Sequence, residues 1–346
     1  MKHSFKLIAA VAVASLASTI VIAPTANAAT KQKVCVALDT GGINDKSFNQ
    51  TSYAGALEAR KKGFASSVEY LPAKSPADFV PNIQNFLNKK CTLIIGVGYL
   101  LGDAIGTAAK SNPNVKFALV DVGSGGSNLK GITFKTDENS FLVGYLAAGM
   151  SKTGKVGTYG GIPIPTVTIF MEGYANGVAH YNLVKNKNVQ VLGWNTDTKN
   201  GTFLGSFEDS TKARQTSITL EQQGADFIFP ISGGMQAITA ANSLVTKKSN
   251  VIWVDARVMN TGKQYASIVP VSALKGLSEG VLATIKEAYD GKFTNKEYVG
   301  TLANQGVSIA ITPAWNNKIP AKLKAEINQL TKDIVAGKIL ALDPID

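Results

Sequence analysis

Short apolar runs alternate with amphipathic stretches along nearly the whole chain, the pattern of strands and helices in a parallel sheet covered on both faces. The runs predict strands at Val34–Asp39, Ser67–Leu71, Leu93–Val97, Lys116–Asp121, Lys155–Tyr159, Val189–Trp194, Asp226–Pro230, Val251–Asp255, Ala266–Val269 and Val307–Ile311. Helices fall between them. The plainest start is Ser75-Pro76-Ala77-Asp78, a capping serine, a proline at the first helical position and an acid in the first turn. Val80, Ile83, Phe86 and Leu87 follow at helical spacing.

Ten strands exceed what one compact doubly wound sheet holds, and the polar stretch Thr133–Ser140 separates the first four from the next four. The fold class expected is therefore α/β, two similar doubly wound parallel-sheet lobes joined by a multi-strand hinge. Lobe I takes residues 29–135 and 266–302, and lobe II takes 136–265 and 303–346. Repeated crossings of this kind make a hinge that closes over a cleft.

The first residues change the picture of where the chain works. Lys2 and Lys6 precede an apolar run from Leu7 to Ala23, and Ala26-Asn27-Ala28 supplies the small residues of a cleavage site. Residues 1–28 read as a secretory signal peptide, so the expected location is extracytoplasmic. An exported chain with two cysteines, Cys35 and Cys91, suggests one disulfide. In a sheet of order 2-1-3-4-5 the first and third strands are neighbours, which makes that bond geometrically feasible; two buried free thiols are the alternative.

Composition excludes more than it selects. A chain of 45% hydrophobic and 17% charged residues builds real cores rather than disorder. Its formal charge of +11 comes from scattered lysines such as Lys61-Lys62, Lys89-Lys90 and Lys247-Lys248, with no arginine-rich or aromatic-interleaved stripe for nucleic acid. Beyond residue 28 a single histidine, His180, remains. That leaves neither a histidine-rich metal site nor a Ser-His-Asp triad with support, and no metal or cofactor is expected. Gly149-Met-Ser-Lys-Thr-Gly154-Lys155 has Walker A spacing, but Val156 replaces the magnesium-binding hydroxyl and the segment leads into a strand instead of out of one. Gly96-Val-Gly98-Tyr-Leu-Leu-Gly102 resembles a dinucleotide fingerprint with its last glycine displaced by one position.

Ligands of open α/β sheets bind beyond the carboxyl ends of the strands. Asp39, Asp121 and Asp255 end the first, fourth and eighth expected strands, so their carboxylates converge on one crevice as acceptors for hydroxyls or ring N–H groups. Asp45 and Ser47 have an ordinary role available as caps of the following helix. Phe48 and Asn49 open that helix where it faces the crevice, and Phe203-Leu-Gly-Ser-Phe207 offers rings from the second lobe to clamp a flat ligand.

The run Asp39-Thr-Gly-Gly-Ile-Asn-Asp-Lys-Ser-Phe-Asn49 resembles the signature of the basic membrane protein family, the PnrA-like receptors of nucleoside ABC importers. Val120-Asp121, Tyr159-Gly-Gly161, Gly173-Tyr-Ala-Asn-Gly177, Gly205-Ser-Phe-Glu-Asp209, Ser232-Gly-Gly234, Val254-Asp255 and Ser272-Ala-Leu-Lys275 agree with it in order. The resemblance implies a type I periplasmic-binding-protein fold and a purine nucleoside stacked between Phe48 and Phe207, with Trp194 and Phe203 as alternative second rings. It further implies that Asn49 and Asp121 bond the base, that Asp255 and Lys275 hold the ribose hydroxyls, and that Asp39 and Gly233 line the site. A monomer that delivers its ligand to a membrane permease, without catalysis, follows from the same likeness. Many members carry lipid on a cysteine after the leader, whereas the first cysteine here is Cys35. The rival readings are the same fold with a sugar or other small polar ligand, an exported glycoside or nucleoside hydrolase, and a sensor module.

Overall fold

The computed structural model describes Met1 and residues 29–343; the signal-peptide reading of residues 1–28 lies outside the described residues. The first body is a sheet of six parallel strands. It is formed by β1 (Gln32–Leu38), β2 (Ala65–Pro72), β3 (Leu93–Val97), β4 (Lys116–Val120) and β5 (Leu129–Phe134), and a late strand completes it. Between them run α1 (Phe48–Lys61), α2 (Phe79–Asn88) and α3 (Gly102–Ser111). The central strands β1, β3 and β4 are buried almost throughout, as strands covered on both faces must be.

After Lys135 the chain crosses into α4 (Thr136–Met150), β6 (Lys155–Gly160), α5 (Pro165–Lys185), β7 (Gln190–Leu192) and the hairpin of β8 (Trp194–Asn195) and β9 (Asn200–Gly201). Then come α6 (Ser210–Gln222), β10 (Phe227–Ile231), α7 (Gln236–Thr246), β11 (Asn250–Val251), β12 (Trp253–Asp255) and α8 (Val258–Thr261). The remainder holds β13 (Val271–Lys275), α9 (Leu277–Tyr289), β14 (Tyr298–Gly300), β15 (Val307–Ile311) and α10 (Ala321–Val335). The first sheet has the order β14-β5-β4-β3-β1-β2; a parallel four-stranded sheet runs β11-β10-β6-β7; and β13 lies between parallel β12 and antiparallel β15.

Three connections pass between the two bodies, at residue 135, at residue 276 and at residues 301–306. They are bonded to one another: the Lys135 N–H donates to the Gly300 carbonyl (2.8 Å) and the Gly276 N–H to the Gly306 carbonyl (2.7 Å). Of the late segment expected in lobe I, α9 packs on α1 and β14 pairs with β5, while β13 joins β12 and β15 instead.

Several expectations about the elements need correction. Ala266–Val269 is not a strand; the ladder begins at Val271, after Pro270, which has no N–H to donate. The stretch Leu129–Phe134 is a strand that Lys130 and Gly131 disguise in the sequence. The polar segment after it is the start of buried α4, whose Thr136, Asp137, Asn139 and Ser140 are all inside.

The helices α4 and α5 cross at close range because three glycines make room. A Cβ on Gly173 would lie 2.5 Å from the Asp137 carbonyl oxygen, and one on Gly177 or Gly144 would overlap the Phe141 or Tyr174 carbonyl. The Gly173-x-x-x-Gly177 pattern is thus a packing device. Cys35 and Cys91 are bonded, with Cα atoms 6.1 Å apart. The bridge ties the middle of β1 to the turn after α2 in the apolar layer formed by Phe79, Ile83, Phe86 and Ile105.

Candidate functional site

The carboxyl ends of strands from both bodies face one cavity. It holds about 670 Å³ of empty space, part of it open to solvent. Asp39, Phe48, Asp121, Phe207, Gly233, Asp255 and Lys275 all line it, seven of the eight residues singled out from the sequence. The eighth, Asn49, lies one layer behind. It is buried, and its Nδ2 donates to Asp39 Oδ1 at 2.7 Å, which leaves Oδ1 as a buried acceptor without a protein partner.

Lys275 organises the polar part. Its ammonium is buried at the end of β13, 2.7 Å from Asp121 Oδ2. It stands 5.0 Å from the Phe48 ring centre, 5.4 Å from Phe134 and 5.6 Å from Phe170, within reach of three cation–π contacts. Two of the acids sit in left-handed backbone conformations, Asp121 at φ 71° just past β4 and Asp255 at φ 66° at the end of β12. Aspartate tolerates this region better than branched residues do, and the turn ends each strand at the cavity wall.

Burial dominates the acids. It pushes the carboxyl of Asp39 up against the pull of Asn49 and of the Gly41 N–H, and that of Asp121 up against the attraction of Lys275. Asp255 is raised by the same cause, with Lys275 and Ser47 opposing. Burial also pushes Asp45 up to about 7 although the N–H groups of Asn49, Ser47 and Gln50 all donate to it. Asp45 therefore does cap α1, and it lines the cavity as well.

The apolar part of the wall was largely invisible beforehand. Ile164, Val167 and Phe170 from the start of α5, Tyr99 and Leu100 after β3, and Ile231 and Val254 complete it. Phe170 and Val167 belong to the core as well, and only the packing of α5 under the cleft brings them to the cavity. Gly98, part of the apparent dinucleotide fingerprint, is needed for another reason: a Cβ there would come within 2.7 Å of Asp39 Oδ2. Of the three candidate rings from the second body, Phe207 reaches the cavity. Trp194 is buried with Nε1 donating to Glu172 Oε2 (2.7 Å), and Phe203 is half-buried beside Gly160. His180 packs beside Phe141 and Tyr145, where burial lowers its pKa, and stays in the helix core. The Walker-like stretch is the turn from α4 into β6, held by Asp226, which accepts the N–H groups of Lys152 and Thr153.

Paired α/β bodies with three crossings and a cavity between their strand ends define the type I periplasmic-binding-protein fold. An ABC-transporter solute-binding protein from Aeropyrum pernix K1 superposes with a TM-score of 0.79 at 23% identity, covering 90% of this chain and 94% of that one. The arabinose-binding protein AraP from Geobacillus stearothermophilus gives 0.60 at 14% identity, covering 84% and 100%. Residues 31–332 match the Bmp family, the PnrA-like substrate-binding proteins of ABC transporters, and the chain belongs to that family. Among its curated relatives, the nucleoside-binding protein BmpA of a Lactococcus lactis ABC transporter is 27% identical over 328 residues, 90% of this chain and 89% of that protein. A CD4+ T-cell-stimulating antigen of Listeria innocua is 30% identical over 88% of this chain and 87% of its own. The family is one of transporter receptors, not enzymes, and its members hand a small ligand to a membrane permease.

Proposed function

We propose that this protein is an extracytoplasmic receptor that binds a purine nucleoside in the cleft, by closure of the lobes, for delivery to its permease. The observation that carries the reading is the composition of the cavity wall: Phe48 from one body and Phe207 from the other, with four aspartates and one lysine between. Rings on two sides suit a flat heterocycle, since stacking contributes about 1–3 kcal/mol per base. The carboxyl group of Asp121 suits ring N–H and amino donors, while Asp255 and Lys275 suit ribose hydroxyls; Asn49, behind the wall, holds Asp39 in place through its Nδ2. The nucleoside-binding relative from Lactococcus lactis supports the same choice. No group in the cavity is set up as a nucleophile with its base, so capture proceeds without covalent chemistry.

Isothermal titration calorimetry of ligand-stripped protein against adenosine, guanosine and inosine, with ribose, arabinose and galactose alongside, tests the reading. Saturable one-to-one binding of a nucleoside is expected. Heat from a sugar with silent nucleosides would keep the receptor and replace the ligand.

A further inference from the structure

Ser47 occupies the N-cap position of α1, yet its hydroxyl makes no capping bond; Asp45 supplies the cap by accepting three N–H groups. The freed hydroxyl points across the cleft instead. Ser47 Oγ donates to Asp255 Oδ2 at 2.7 Å and accepts from Gln236 Nε2 at 3.3 Å. Gln236 opens α7 on the other body, and β12 itself sets its orientation. The Val254 N–H donates to Gln236 Oε1 (2.7 Å), so Nε2 must be the amide atom that faces Ser47 and the Val254 carbonyl. All three side chains are buried, Ser47 completely. Ser47 and Gln236 lie outside the cavity wall, while Asp255, which accepts the Ser47 bond, also lines it, so the bonds join the two lobes at the edge of the cavity.

We infer that Ser47, Gln236 and Asp255 form a latch that holds the two lobes closed, setting the rate at which a captured ligand escapes. The latch ties the first turn of α1, which carries Phe48, to the strand end that carries Asp255. Opening the cleft must break a hydrogen bond to a buried carboxyl group, worth about twice one between neutral groups. The inference rests on the closing-lobe reading above but not on the identity of the ligand.

The test uses Ser47→Ala, which costs α1 no cap, and Gln236→Glu, which keeps the acceptor for the Val254 N–H and removes the donor facing Ser47. Spin labels at Asp103→Cys and Lys212→Cys, on exposed positions of the two bodies, report the interlobe distance; Cys35 and Cys91 are bonded to each other and take no label. Both variants are expected to shift the ligand-free distribution toward longer distances. Ser47→Ala should also raise the dissociation rate of whichever nucleoside or sugar binds by about tenfold, the loss of one charge-assisted hydrogen bond, and Gln236→Glu should raise it less, since it loses only the neutral bond to Ser47. If ligand shortens the distance in the parent and the variants follow it unchanged, with unchanged dissociation, the latch is overturned while the closing lobes stand. A distance that neither ligand nor variant moves removes both.

Discussion

Lys275 brings a charge to a buried position, and it is tolerated because Asp121 lies 2.7 Å away and three rings surround the ammonium. Breaking such a pair from one side leaves a buried charge unmatched, at a cost of about 3–5 kcal/mol. Asp121→Ala should therefore lower the unfolding free energy of the ligand-free protein by that amount, read from urea titration, and adding Lys275→Met should recover part of it. A double variant as unstable as Asp121→Ala alone would remove the pair from the account of stability. The raised acids also set a sign for pH. Asp45 binds its proton more tightly in the folded chain, at about 7 against an ordinary 3.8, so the native state holds more protons than the unfolded one between those values. Its contribution to stability is fully present below about pH 4 and is lost as pH rises toward 7. Asp39, Asp121 and Asp255 are shifted in the same direction. The melting temperature of ligand-free protein should fall between pH 5 and pH 8, and Asp45→Asn should flatten that slope.

Pairs of elements make their own demands. The crossing of α4 and α5 leaves no room for a side chain at Gly173, where a Cβ would meet the Asp137 carbonyl oxygen at 2.5 Å. Gly173→Ala should destabilise by about 1–3 kcal/mol, the usual cost of overpacking. Because α5 also carries Val167 and Phe170 into the cavity, ligand affinity should weaken with it. The Cys35–Cys91 bridge offers a contrast, for it fastens β1 to the turn after α2 within the apolar layer and touches no cavity residue. Replacing both cysteines by serine should cost about 2–4 kcal/mol in chemical denaturation and leave the binding isotherm of folded protein unchanged.

For the whole molecule, a chain that is basic overall gathers acids in its cleft. The chain carries a formal +11, but the cavity sets Asp39, Asp45, Asp121 and Asp255 against one lysine. An added phosphate would enter a poorly screened site among acids, where each ionised carboxyl group repels it. A nucleoside 5′-monophosphate should therefore bind at least about tenfold more weakly than its parent nucleoside in competition calorimetry; equal affinity would mean that the phosphate stays outside the lobes.

Much of this protein was legible in one dimension. The alternation of apolar runs and amphipathic stretches determined the class of fold, because strands buried on both faces need unbroken apolar runs, as in Leu93–Val97. Acids at strand ends marked the cavity, since parallel sheets deliver all those ends to one side. The tertiary structure alone decided which residues those acids meet. Lys275 pairs with Asp121 from 154 positions away, and Ser47 reaches Asp255 from 208; no local pattern records such distances. It also settled positions whose sequence has an ordinary meaning: Ser47 bridges the bodies rather than capping α1, and Phe170 is cavity wall as well as core. Strand β5 escaped notice because Lys130 is buried only by virtue of its pairing with Glu287 and the Lys296 carbonyl. Local propensity and periodicity fix what a segment becomes, whereas the partners of a buried charge or a freed hydroxyl exist only once distant segments have packed together.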